Sequence, residues 1–557
     1  MTQTKGSCSA PLFFVALALA VLGSRYGHAS LWATSAAAMG LAGRTAVSGS
    51  AISPFSIAVW GYAAWAALHT LFISPAYTPA GLYHPLLLVL GFGFARRSSA
   101  ASVRHAAMAA CALGAILAGW GLVQVGPLGF GRARAIFETP ATYAAVLNLL
   151  LVPALAAVAA GRRDAWLLGL AGLLAGAVFA GDSRGGYLAF AGGMGALLIL
   201  GRRGQLWGAR GLAGALGVVA AGCVLALAWR SLPWPSFEGA MADAPLSAES
   251  RAASALSRLE LLDLSWSAWR ERPVAGTGYL TFRYALERDR VRVPSYGESN
   301  QTAFAHNDYL QTLQELGPIG LAGLLALVLT PAWLAYRRIP RLPVERRAPA
   351  AAAAAGLATM ACHALVDFPF YIPACLLLYG ALCGVLERQL AVAPLTLAAP
   401  LSASPLLRAA RTAAALIAGL VLLRPVAAET AAEWGMKKFA AGDGPAAARW
   451  LAAAQRIDPG DWRFHWYAGQ FWEAQTAAAG KREAARLAAQ AYAAGFAANP
   501  LEVANLLGMI SVHRRYAGLL DAPAGAAALR EWVGQAEALA PFNGAVRRER
   551  ALLGAVP

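Results

Sequence analysis

Charged side chains are scarce in this chain: Asp, Glu, Lys and Arg together make up 13% of its 557 residues, while 58% are hydrophobic. At a mean hydropathy of +0.51, a soluble fold has too little interior to hide so much apolar surface, so lipid must cover part of it. Cysteine is sparse as well. Cys8, Cys111, Cys223, Cys362, Cys375 and Cys383 lie mostly in or beside apolar runs, and no CxxC or Cys/His spacing suggests a metal site or a disulfide framework. A disulfide-stapled domain is therefore excluded, and no metal or cofactor is expected. Also missing is one contiguous basic face. The net charge of +17 comes from short clusters between apolar runs, which argues for membrane orientation and against a nucleic-acid partner. No small-residue cleavage site follows the apolar run 11–23, so the N-terminus reads as a retained signal anchor.

What the chain does have is apolar runs of spanning length, about 20 residues or somewhat fewer. Thirteen candidate spans lie near 9–24, 28–43, 55–73, 82–95, 105–125, 141–160, 165–181, 186–200, 211–230, 315–336, 350–366, 370–387 and 407–423. The expected fold class is all-α, a polytopic membrane protein with about 12–13 transmembrane helices. Arg44, Arg96/Arg97/Arg104, Arg162/Arg163, Arg202/Arg203/Arg210, the five arginines from Arg337 to Arg347, and Arg388/Arg408 fall in alternate gaps. The positive-inside rule then places the N-terminus in the cytoplasm and the C-terminal segment on the opposite side. Arg25, Arg132, Arg134 and Arg184 are exceptions, standing in gaps otherwise poor in basic residues.

Two stretches are not membrane-like. Residues 231–307 form a long external loop, and 427–557 form an Ala-rich, helix-patterned tail after a membrane domain of 1–424. In the tail, RIDPGD, AANPLE and ALAPFN set Pro459, Pro500 and Pro541 at equal spacings of 41 residues. That spacing resembles a tetratricopeptide-like array of helix pairs, a surface for protein partners or acceptors. A plain helical bundle stays open.

Unusual polar residues collect at the external span ends. GDSRGGYLAF opens a span with Asp182, Ser183 and the isolated cation Arg184, flanked by glycines that leave a helix N-terminus free to face an anion. A snorkelling arginine is the plainer reading. In SRLELLDLSWSAWRERPVAGTGYLTF, Leu256, Leu259, Leu262, Leu264, Trp266 and Trp269 recur at helical spacing, describing an amphipathic helix against the membrane surface or over a cavity. Arg258, Arg270, Arg272 and Arg283 in and after it could each be a solvated charge. His306, Asn307 and Asp308 then stand at the mouth of an apolar run. Helix capping explains Asn307 and Asp308, whereas the imidazole suits proton transfer near neutral pH. HALVDFPFYIP adds His363 and Asp367 at i and i+4, where a helix-end hydrogen-bonded pair is the plainer reading. Together these residues suit a diphosphate held by cations beside a base for a sugar hydroxyl.

On these motifs the chain resembles the O-antigen ligase superfamily, which includes O-antigen ligases, Wzy-type polysaccharide polymerases and bacterial protein O-oligosaccharyltransferases. The resemblance rests on Ser183-Arg184-Gly185, on Arg258 in R-x-E-L-L followed by RPVAGTGYLTF, on H-N-D-Y-L-x(6)-G-x-x-G from His306 to Gly320, and on HALVDFPFYIP. It covers roughly residues 125–390. It implies a metal-independent, inverting glycosyltransferase of the bacterial inner membrane, with the C-terminal tail periplasmic. The donor would be a glycan on undecaprenyl diphosphate, and the acceptor a lipid A-core, a growing polysaccharide or a protein Ser/Thr. His306, Arg184 and Arg258 are the implied catalytic residues. Ser183, Arg272, Asn307, Asp308, His363 and Asp367 are the expected substrate contacts. Family members often carry a Pro-Asn pair where this chain has Pro140-Ala141. The alternative from another class is a transporter or flippase for the same lipid-linked glycan, which would need cations at mid-membrane between broken helices.

Overall fold

The computed structural model of the chain describes residues 9–43, 52–234, 248–294, 302–392 and 405–554. Cys8, Arg44 and parts of the expected 231–307 loop lie outside the described residues. Among those described, the structure is helical throughout and contains no β-sheet. The first part comprises α1 (Ser9–Tyr26), α2 (Ala29–Gly43), α3 (Pro54–Phe72), α4 (Ala80–Arg97), α5 (Ala100–Val125), α6 (Pro140–Ala159), α7 (Ala165–Ala180), α8 (Arg184–Gly204) and α9 (Ala209–Ser231). It continues through α10 (Ala248–Glu271), α11 (Phe282–Arg288), α12 (Asp308–Arg338), α13 (Val344–His363) and α14 (Pro373–Gln389). The tail comprises α15 (Pro405–Ala440), α16 (Gly444–Ile457), α17 (Trp462–Ala479), α18 (Arg482–Ala498), α19 (Val503–Arg515), α20 (Ala526–Leu539) and α21 (Gly544–Gly554).

Each of the thirteen expected spans falls on a helix. Among the described residues, six helices (α3, α5, α6, α8, α9 and α12) are long and apolar enough to cross a membrane, and two more apolar helices, α7 and most of α1, are shorter. Of the other five, α2 has 15 residues and α14 has 17, α4 and α13 carry arginines and an internal proline, and the expected 407–423 span falls within the longer α15. α14 packs among α1, α4, α6 and α13, and a helix sheathed by neighbours needs no lipid-compatible surface. The chain is a polytopic, all-helical integral membrane protein.

Ser53, Ser99, Thr139, Ser183 and Asn307 cap the N-termini of α3, α5, α6, α8 and α12 with side-chain oxygens that accept backbone N–H groups. α13 lies against both α6 and α8. The N-termini of α6, α8 and α12 meet the C-terminus of α13 at one end of the bundle. Arg202/Arg203 and Arg337/Arg338 end α8 and α12 at the other.

α12 is broken where the sequence reads Gly317-Pro318. Gly317 has φ +69° and ψ −173°, inside what is otherwise a continuous helix. The break frees carbonyl groups that an apolar surrounding cannot satisfy. Thr277 N and Gly278 N donate to the Gln314 and Glu315 carbonyls at 2.8 and 2.9 Å, and Trp65 Nε1 donates to Leu316 O at 2.9 Å. The AGTGY loop after α10 is thereby stitched to α12. A Cβ on Gly317 would sit 2.3 Å from Val274 O, so the close approach requires glycine there.

α10 occupies the expected amphipathic segment, but its buried face differs. Leu261, Leu264, Ser265 and Ala268 face inward, while Leu256, Leu259 and Trp266 are exposed. The segment carries two apolar stripes, and the loop it covers takes only one.

The expected boundary at 424–427 lies within α15, which runs unbroken from Pro405 to Ala440. Pro459, Pro500 and Pro541 each follow a helix end by two residues, after α16, α18 and α20, and the next helix starts three residues later. Asp461, Glu502 and Asn543 each accept a hydrogen bond from the N–H two residues on. α15 touches α17, α17 touches α19 and α19 touches α21, so alternate helices stack as in a solenoid. The slot before each proline is buried and holds Asp458, Asn499 or Ala540. Asp458 lies 3.1 Å from Arg424 of α15, and burial pushes its carboxyl from 3.8 up to about 6. The folded value exceeds the unfolded one, so the stability this group contributes is complete below about pH 4 and is lost as the pH rises through about 6. Asp458→Asn, which installs the amide that the next repeat uses, should flatten this dependence when Tm is measured between pH 4.5 and 8.

Candidate functional site

Three of the chain segments that build the site are fixed by local chemistry. At the start of α8, Ser183 Oγ accepts the Gly186 N–H at 3.1 Å. The first turn of α8 is wedged between α6 and α13: a Cβ on Gly185 would lie 3.0 Å from His363 Nε2, and one on Gly186 2.6 Å from Ala144 Cβ. Arg132 holds the preceding turn, its Nε and Nη2 donating to Gly181 O (3.3 Å) and Asp182 O (2.8 Å).

The second segment is the mouth of α12. Asn307 Oδ1 accepts the Leu310 N–H at 2.9 Å, and its Nδ2 donates to Leu365 O at 3.0 Å. Asp308 N donates to Ala364 O at 2.9 Å, and Asp308 Oδ2 accepts the Phe370 N–H at 2.7 Å. Asn307 and Asp308 therefore clip the third segment, the 364–370 turn after α13, onto α12. Phe304 stacks on Phe368 with ring centroids 3.8 Å apart, and the His306 ring meets Phe368 edge-on.

The clip brings Asp367 to His306. His306 Nδ1 lies 3.2 Å from Asp367 Oδ1, and His363 Nε2 lies 3.6 Å from Asp367 Oδ2. Asp367 and His363 are buried, and the His306 side chain is 19% exposed. Burial by itself would raise the Asp367 carboxyl, but hydrogen bonding and charge from His306 and His363 outweigh it and hold the group well below the usual carboxylate range. An ionised carboxylate only accepts, so His306 Nδ1 donates to it, and in a neutral imidazole the lone pair would then sit on Nε2. His306 adopts φ +55° and Asp182 φ +43°. Two of the six described non-glycine residues with positive φ thus belong to this site, a pattern typical of strained functional positions.

These parts enclose a cavity of about 230 Å³. The expected residues Ser183, Arg184, Arg258, His306 and Asp367 line it. So do residues not singled out as contacts in the sequence: Arg132, Glu138, Thr139, Pro140, Ala141 and Asp182. Arg132 had a signal, since like Arg184 it stands outside the alternating basic clusters. Pro140-Ala141 had one too, as the place where the chain departs from the family's Pro-Asn pair. Nothing in the sequence marks Glu138. Asn307, Asp308 and His363 do not line the cavity but stand behind it, contrary to the expected substrate contact, because their polar atoms face the 364–370 turn or the buried carboxylate. Arg272 points elsewhere, lining a separate cavity with Glu271, Arg288 and Leu501.

Behind His306 a second buried carboxylate ties the segments together. Glu315 accepts from Leu280 N (2.9 Å), Phe282 N (3.2 Å), Gln311 Nε2 (3.0 Å) and Tyr371 Oη (2.8 Å). It links α12, the loop after α10 and the turn that carries Asp367.

The described residues thus form an all-helical membrane protein in which arginines, a carboxylate-backed histidine and a helix N-terminus surround one cavity. Residues 169–325 match the O-antigen ligase family model, which supports the resemblance to that superfamily. The matched stretch holds Ser183, Arg184, Arg258 and His306, while Arg132, Pro140 and Asp367 lie outside it. No curated protein matches the chain.

Glu315→Ala removes four hydrogen bonds and strands two buried backbone donors. It should lower stability by more than about 3 kcal/mol, measured as a loss of Tm for the purified protein in detergent.

Proposed function

We propose that this protein transfers a glycan from undecaprenyl diphosphate to an acceptor hydroxyl at the periplasmic face of the inner membrane, without a metal and with inversion at the anomeric carbon. The observation that carries this reading is the single cavity in which Arg184, Arg258 and His306 meet from three separate segments. The acceptor hydroxyl gives its proton to His306 Nε2 as its oxygen attacks the anomeric carbon. The bond from that carbon to the diphosphate oxygen breaks, and undecaprenyl diphosphate leaves with the electron pair. One displacement from the face opposite the leaving group inverts the configuration. Asp367 holds the imidazole in the tautomer that accepts this proton and stabilises the imidazolium that results.

Arg184 and Arg258 bind the diphosphate and stabilise its developing charge, aided by the first backbone N–H groups of α8. Arg132 keeps the Asp182–Arg184 turn in place. Glu138 and Asp182, on the same wall, offer acceptors to sugar hydroxyls. Residues 1–424 carry the chemistry, and the tail from 427 to 557 serves acceptor or partner recognition. The acceptor is a lipid A-core, a growing polysaccharide or a protein hydroxyl.

The test uses purified protein, undecaprenyl-diphosphate glycan and EDTA, with each acceptor class in turn. His306→Ala should lower transfer by about 10²-fold or more while membrane insertion and Tm are retained. Transport of the lipid-linked glycan across vesicles without transfer, unaffected by His306→Ala, would favour the transporter alternative. Arg184→Lys should lose nearly as much activity as Arg184→Ala, because an ammonium lacks the planar fork that grips two phosphate oxygens. Wild-type kcat/KM in the lysine variant would remove Arg184 from the diphosphate site.

A further inference from the structure

A second cavity, of about 170 Å³, lies where the tail meets the membrane domain. Three distant parts of the chain wall it. Trp32 and Tyr77 come from the first helices and their connections, Tyr279 and Tyr284 from the loop docked on broken α12 and from α11 after it, and Trp462 and Arg463 from the first proline turn of the tail. The tail is held against α11 by Asn499 Nδ2, which donates to Tyr284 Oη at 2.8 Å, and by Arg283, 3.6 Å from Glu502.

The two cavities differ in chemistry. The one at His306 has three arginines and no Phe, Tyr or Trp in its wall. The junction cavity has five aromatic residues, with hydroxyls of Thr78 and Thr281 and the charged Arg283, Arg463 and Asp461 among them. Aromatic faces flanked by hydrogen-bonding groups match a sugar ring, which offers apolar C–H faces and a hydroxyl-bearing edge. The cavities are also close. Ala303 lines one and His306 the other, and three residues of chain reach at most about 11 Å. Tyr279 stacks on Tyr371, and Phe304 meets Tyr371 edge-on and stacks on Phe368, so an aromatic layer separates them.

We propose that the junction cavity is a saccharide subsite that grips a sugar of the glycan a few units away from the bond being made, and that the tail supplies its third wall through Trp462. The assignment of this sugar to the transferring glycan rests on the function proposed above. The subsite itself is tested by binding alone.

The probe is the free oligosaccharide released by mild acid from the organism's own polyprenyl-diphosphate glycan. It is titrated into the full-length protein in detergent and followed by saturation-transfer NMR and tryptophan fluorescence. Wild type and His306→Ala should bind it alike. Trp462→Ala should bind at least about ten-fold more weakly, and Trp462→Phe should recover most of the loss, which a folding defect would not do. Equal binding by wild type and Trp462→Ala, or no binding to wild type, would overturn the subsite. Binding that depends on Trp462 in a protein that transfers no glycan would keep the subsite and reject the transferase reading. In an active protein, Trp462→Ala should raise KM with kcat nearly unchanged; a fall in kcat alone would overturn the placement of the sugar away from the reaction.

Discussion

A break in a helix inside an apolar bundle must be answered by hydrogen-bond donors, and much of this structure follows from the break at Gly317. The carbonyls of Gln314, Glu315 and Leu316 have no helical partner there. Donors from the 277–278 backbone and from Trp65 take them up. That requirement draws the loop after α10 onto α12. Glu315, two residues before the break in the same helix, secures the loop again through Leu280 and Phe282 and reaches Tyr371 on the other side. Left without those donors, the same groups would each cost roughly several kcal/mol in hydrocarbon. The network is thus obligatory, and it sets the surface on which both cavities are built.

His306 illustrates how a side chain is positioned by groups that stand behind the cavity it lines. Its positive φ is held on one side by the cap at Asn307 and on the other by the Gln311 side chain, whose Oε1 accepts the Ala305 N–H at 2.9 Å. Asp308 fastens the turn that carries Asp367, and Asp367 orients the imidazole. Reading H-N-D as three ligand contacts overlooks this division of labour. The histidine faces the cavity, and the two residues after it hold the histidine's partner.

The tail repeats one turn three times, and the buried position before each proline varies in a way that tracks its surroundings. Asp458 meets Arg424, Asn499 meets Tyr284, and Ala540 is buried without a polar side chain of its own. The first two repeats are thus fitted to α15 and to α11. The periodicity specifies a solenoid, while these single substitutions specify how the solenoid sits on the membrane domain.

Much of the fold was legible in the sequence because its signals are local. Apolar runs of spanning length, Ser/Thr/Asn caps and the 41-residue proline spacing act through neighbouring residues, and every expected span falls on a helix. The residues of the His306 cavity were legible in part, since Ser183, Arg184, Arg258 and His306 sit in recognisable motifs. Arg132 and Ala141 carried signals that did not by themselves point to the cavity, Glu138 carried none, and the different direction of Arg272 was not legible. Which face of α10 is buried, and which of Asn307, Asp308 and His363 stand behind the site, depends on contacts between segments tens or hundreds of residues apart. Sequence by itself determined a helical membrane protein with a histidine and arginines at one end of its spans. Only the tertiary structure decided which of them share a cavity, because convergence is set by where buried polar groups find partners, and those partners lie far away along the chain.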